Sequence, residues 1–183
     1  MGFALRLARG IDAVNERIAR LAAWLVVAAV VISAGNAVSR KAFSLSSNAW
    51  LELQWYLFGA VFLLGASWTL ARNEHVRIDV LSSRFSQRAR DRLDLVGHAL
   101  FLIPFALVHV VFAVPFFLLS WRTGEVSANA GGLPLWPAKL LVLVGFTMLL
   151  AQGLSEFVKK LAVLRGALPP QRADGPPNAG LSA

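Results

Sequence analysis

The sequence contains no cysteine. Disulfides, thiolate nucleophiles and Cys-ligated zinc or iron–sulfur centres are therefore excluded. Charge is also scarce. Asp, Glu, Lys and Arg make up 15% of the 183 residues, against roughly 25% in a soluble domain. Acidic residues are the rarer sign, 10 against 18 basic ones. There is no Gly-rich loop at a strand–helix junction and no Ser/His/Asp set on a workable scaffold, so neither phosphate cradling nor nucleophilic catalysis is expected. Two similar halves with interrupted helices, the mark of a self-sufficient secondary transporter, are missing too. These absences predict a chain that is not an enzyme and carries no cofactor or metal.

What is present is apolar length. Hydrophobic residues make up 57%, and mean hydropathy is +0.61. No charge falls in 21–39, 53–71 or 95–121, and 140–158 holds only Glu156. A helix crossing a bilayer needs about 20 mostly apolar residues, so each gap fits one crossing. The fold class predicted is all-α integral membrane, with spans at about 18–40, 49–72, 94–121 and 137–160. The membrane domain covers 1–166, and the Pro/Gly/Ala-rich tail 167–183 is expected to be disordered. A cleaved signal peptide is not expected: the first apolar run, Leu21 to Val38, exceeds a usual h-region and 20 residues precede it.

The placement of the 18 basic residues sets the orientation. The N-terminal segment holds four, the middle loop six and the C-terminal segment four, while the two remaining loops hold two each. The positive-inside rule then puts both termini in the cytoplasm. Trp50, Trp121 and Trp136 mark the outer interface, and Trp24 and Trp68 lie near the inner one. The net charge of +8 is thus a topology signal, and no nucleic-acid partner is expected.

Leu7, Ile11, Val14, Ile18 and Leu21 recur at helical spacing, as do Ile78, Leu81, Phe85, Ala89 and Leu93. The first stripe predicts an amphipathic helix running into span one, and the second an interfacial helix at about 78–92, in contact with membrane lipids. Pro104 and Pro115 predict a bent third helix.

The segment "RNEHVRIDV", residues 72–80, is the most polar cluster beside a span. His75, Glu74 and Asp79 are too few for a zinc site. The segment reads better as a helix end, with Arg72 and Arg77 toward lipid phosphates and Asp79 capping the next helix. His98 and His109 share one helix eleven residues apart, so they cannot clasp one haem iron between facing helices. Glu52 sits near an interface as a partner-facing anchor or boundary charge. Glu156 precedes Lys160 at i,i+4, a spacing that suits an ion pair. Glu52, Tyr56, Gly59, Leu63, Ala66 and Leu70 form one stripe of span two, suited to packing inside the bundle or against another subunit. Gly145, Leu149, Gln152, Glu156 and Lys160 do the same on span four.

Three stretches carry a resemblance: "NAVSRKAF", "NAWLELQWYLFGAVFLLGASWTLARNEHVRIDVL" and "SWRTGEVSANAGGLPLWPAKLLVLVGF". Together they resemble the small membrane (DctQ-type) subunit of tripartite ATP-independent periplasmic (TRAP) transporters, over roughly residues 15–165. Trp50, Glu52, Gly65, His75, Arg77 and Asp79 match the family pattern. Leu51 and Leu53 flank Glu52 where some relatives carry a second acidic residue. The resemblance implies a bacterial inner-membrane scaffold whose partners are a large elevator-type subunit and a periplasmic solute receptor. It implies ion-coupled uptake of a solute of the organic-acid class. Two other readings fit the residues: a small dimeric proton-coupled carrier using Glu52, and a membrane anchor for a redox enzyme.

Overall fold

The computed structural model describes residues 2–44, 47–73 and 85–169. Five α-helices build it: α1 (Gly2–Phe43), α2 (Asn48–Ala71), α3 (Gln87–Gly97), α4 (Ile103–Thr123) and α5 (Trp136–Leu164). One π turn, His98–Leu102, joins α3 to α4 without a break. Among the described residues, four helical stretches are long and apolar enough to cross a membrane: α1, α2, Arg88–Thr123 and α5. The chain is therefore an all-α, multi-pass membrane protein. Among the described residues there is no strand, only an isolated bridge between Val126 and Pro134.

The π turn has a local cause. Pro104 has no N–H and cannot bond the carbonyl four residues back. The ladder widens instead, and the N–H of Ile103 reaches the carbonyl of His98. α3 starts at Ser86, whose Oγ accepts the N–H of Ala89. The helix from Gln87 thus runs on into the third span. The earlier part of the interfacial helix expected at 78–92 lies outside the described residues.

Small and polar residues form the interior. On α1 the buried positions are Ala8, Asn15, Ala22, Ala29 and Asn36, each seven residues from the last. On α4 they are Ala106, Ala113 and Ser120, again seven apart. Lipid tails are as apolar as leucine, so helices in a bilayer associate by close approach and interhelical hydrogen bonds rather than by burying large side chains. The seven-residue repeat keeps one narrow seam turned inward. The large side chains point outward: Leu7, Val14 and Leu21 of the first amphipathic stripe are 58%, 52% and 70% exposed.

α5 is the hub. α1, α2, α3 and α4 all pack on it, and α1 also packs on α2. α4 packs chiefly on α5. α5 and α2 approach closely at Gly145, where an added Cβ would lie 2.7 Å from Leu63 Cβ and 3.1 Å from Leu63 O. Gly145 and Leu63 belong to the packing stripes expected on spans four and two. At Gly59 and Gly65 an added Cβ would meet nothing within 4 Å.

The bundle has two ends. The loop end carries the α1–α2 and α4–α5 connections. The terminal end carries the start of α1, the exit of α2, α3 and the end of α5.

Candidate functional site

At the loop end, Glu52 is the centre of a clamp. It lies in the second turn of α2 and is only 5% exposed. Its Oε1 accepts from Ser127 Oγ and, at 2.7 Å, from Asn129 Nδ2. Its Oε2 accepts the backbone N–H of Leu133 at 2.7 Å. One helical turn away on either side, Asn48 donates to Ala130 O at 3.0 Å and Tyr56 donates to Pro134 O at 3.0 Å. Three residues at i,i+4 spacing thus hold the α4–α5 loop along one face of α2.

The loop is built to be held. Gly124 ends α4 in the left-handed region at φ 61°, where a side chain would be strained. The N–H of Ser127 then bonds Leu133 O, and that of Leu135 bonds Glu125 O, closing the loop on itself. Gly132 is required by space, because an added Cβ would lie 2.6 Å from Ser127 Cβ. Lys139, at the start of α5, pairs with Glu125 and lies 4.2 Å from the ring centre of Phe116. The Lys139 ammonium holds the Glu125 carboxyl below its ordinary value. Trp121 and Trp136 meet edge-on at 4.8 Å beside the loop, while Trp50 is 48% exposed.

The terminal end carries a second polar tie. Asn15 of α1 donates to Gln152 Oε1 at 2.7 Å, with both side chains buried. Gln152 Nε2 donates to Asp12 at 2.8 Å and to Glu156 at 2.9 Å. Ser155 donates to Asp12 at 3.0 Å, and Lys159 lies 2.9 Å from Asp12 and 2.5 Å from Glu156. Lys160 reaches Asp91 and Asp94 of α3, each at 2.9 Å. Arg72 at the exit of α2 meets Glu16 of α1 at 3.2 Å and lies 5.5 Å from the ring centre of Trp68. Asn73 then leaves the helix at φ 57°, a conformation Asn tolerates.

One sequence expectation is corrected by this geometry. Glu156 pairs with Lys159 at i,i+3, and Lys160 is drawn away to α3. The oxygens of Glu52 are taken up by the chain's own loop. Of the proposed site residues, the structure joins Glu52 and Tyr56 in the clamp. Trp50, Gly59, Gly65 and Ala66 remain on α2 without taking part in it. His75, Arg77 and Asp79 lie outside the described residues. Sequence reasoning missed Ser127, Asn129, Asp12, Asn15 and Lys159. The available signal was the seven-residue recurrence of Asn15 and Asn36 with alanines.

The described residues contain no group of three or more His, Asp or Glu that could hold a metal ion. The fold and its two ties define a four-span membrane protein with a polar network at each end of its bundle. The family described as "Tripartite ATP-independent periplasmic transporters, DctQ component" matches residues 29–163. The chain belongs to this family, and it is a transporter component rather than an enzyme. Neither the curated proteins nor the solved structures yield a match.

Proposed function

We propose that this chain is the fixed scaffold of a TRAP transporter in the bacterial inner membrane, with both termini cytoplasmic. It partners the large elevator-type subunit in ion-coupled uptake of a solute of the organic-acid class, delivered by a periplasmic receptor. The observation that carries this reading is the saturation of Glu52. A coupling carboxylate must release and rebind an ion or proton. Glu52 accepts three hydrogen bonds from one loop, which is the work of an anchor. The ties at the terminal end likewise lock α1, α3 and α5 together. A rigid unit of this kind resists drag when a mobile domain moves beside it. Family membership and the charge distribution support the partners and the orientation.

The test is reconstitution. With receptor, large subunit and this chain in liposomes, solute uptake is expected, and omission of this chain removes it. Uptake by this chain alone, abolished by Glu52→Gln, would overturn the scaffold reading in favour of the small carrier.

A further inference from the structure

His109 lies near the centre of the third span. It is fifteen residues past Asp94 and thirteen before Arg122, about 20 Å from each at ~1.5 Å per residue. Its ring is fixed between two others, 4.2 Å from Phe105 and stacked at 4.3 Å on Phe146 of α5. Nδ1 is 2.8 Å from the carbonyl of Phe105. A carbonyl only accepts, so Nδ1 carries a proton, and in an imidazole protonated at Nδ1 alone the other nitrogen, Nε2, is an acceptor. No described residue donates to Nε2.

The same ring lines a groove between α4 and α5. The groove encloses about 340 Å³ and is walled by Val108, His109, Phe112, Ala113, Phe116 and Val142. Because α4 packs chiefly on α5, its outward face is open, with Phe112 69% and Leu119 62% exposed. Acyl chains have no donor, and water is excluded at this depth. Lipid alone therefore leaves the acceptor unpaired, at a cost that makes polar groups inside spans face protein. A second copy meeting its twin across a two-fold axis here sets acceptor against acceptor.

We propose that this groove is the docking face for a transmembrane helix of the large subunit, and that the docked helix presents a hydroxyl or N–H donor to Nε2 of His109. The inference rests on the partnership proposed above. The donor sits at mid-membrane depth, and Phe112 and Phe116 flank its helix.

The test uses the full chain co-expressed with its large subunit. A photo-crosslinking benzoylphenylalanine replaces Phe112 in one variant and Trp24, 71% exposed on α1, in another. Crosslinks to the large subunit are expected from position 112 and not from 24. His109→Phe keeps a stacking ring but removes the acceptor. It is expected to lower recovery of the large subunit in detergent about three- to tenfold, the range of single interhelical hydrogen bonds in bilayers. Crosslinks from 24 and not 112, crosslinks from 112 only to lipid or a second copy, or undiminished recovery with His109→Phe each overturn the docking face. The crosslinking arm keeps native His109, so it decides the matter even if His109→Phe misfolds. If the unmodified chain fails to retain any large subunit, the partnership itself falls, which separates the two failures.

Discussion

Oε2 of Glu52 accepts the backbone N–H of Leu133 at 2.7 Å, across a sequence separation of 81 residues. This contact ties the second turn of α2 to the end of the loop that leads into α5. A backbone donor cannot be moved without moving the loop, so the position of Leu133 reports directly on Glu52. The bundle is thereby closed at one end by a carboxylate and at the other by the Asp12–Gln152–Lys159 network.

Glu52→Ala removes the acceptor for Ser127, Asn129 and Leu133 together. The loop then loses the three hydrogen bonds that fasten it to α2, each worth about 1 kcal/mol net. The four-helix unit should persist, because its helix contacts lie elsewhere, while the 124–135 loop opens. Limited proteolysis in detergent should cut this loop roughly tenfold faster than in the parent chain. Tyr56→Phe, which loses only the bond to Pro134 O, should give a smaller effect in the same assay.

Gly145→Ala tests the close approach of α5 to α2. Its new Cβ would lie 2.7 Å from Leu63 Cβ and 3.1 Å from a backbone oxygen. The backbone atom cannot swing aside, so the helices must separate. Overpacking of this kind costs about 1–3 kcal/mol. Thermal unfolding in detergent should show a lower Tm for Gly145→Ala and an unchanged one for Gly59→Ala and Gly65→Ala, where the added carbon meets nothing. Equal Tm losses at all three positions would contradict this packing.

The Glu125–Lys139 pair gives the loop a pH dependence. Lys139 holds the Glu125 carboxyl below its ordinary value when the loop is folded. A depressed carboxylate contributes stability that is fully present above its unfolded value and is lost as pH falls through the folded one. Protection of the loop should therefore be flat from neutral pH down to the ordinary glutamate range and decline below it. The decline should shrink in Glu125→Gln and weaken at high salt, since the Glu125 side chain is 39% exposed. Hydrogen exchange at Ser127 and Leu135 across pH reads it.

The four spans were legible because a bilayer imposes a length criterion that charge gaps satisfy without any knowledge of packing. The packing stripes of spans two and four were legible as patterns, and Leu63 and Gly145 meet across them, while an added Cβ at Gly59 or Gly65 would meet nothing, since a stripe names a face and not the residue that makes the contact. Glu52 stood out by its charge. Its partners did not, because one is a backbone N–H and the others lie in a loop that sequence showed only as irregular. The Glu156–Lys160 spacing pointed to the wrong pair for a related reason. Asp91 and Asp94 approach from another helix, and local spacing cannot register them.

Lys159 supplies the sharpest test of the second tie. Its ammonium stands between Asp12 and Glu156, at 2.9 and 2.5 Å, and is only 14% exposed. Lys159→Met leaves two carboxylates facing each other where Gln152 and Ser155 already donate to both sides of the network. Removing one partner of a buried ion pair costs about 3–5 kcal/mol, most of it the penalty of the charge left behind. The Tm in detergent should fall accordingly, and α1 should loosen from α5 first. The double variant Lys159→Met with Glu156→Gln removes that stranded charge while keeping an acceptor for Gln152. It should recover most of the loss. If the two substitutions instead add, Lys159 and Glu156 act independently and the terminal end is not a single tie.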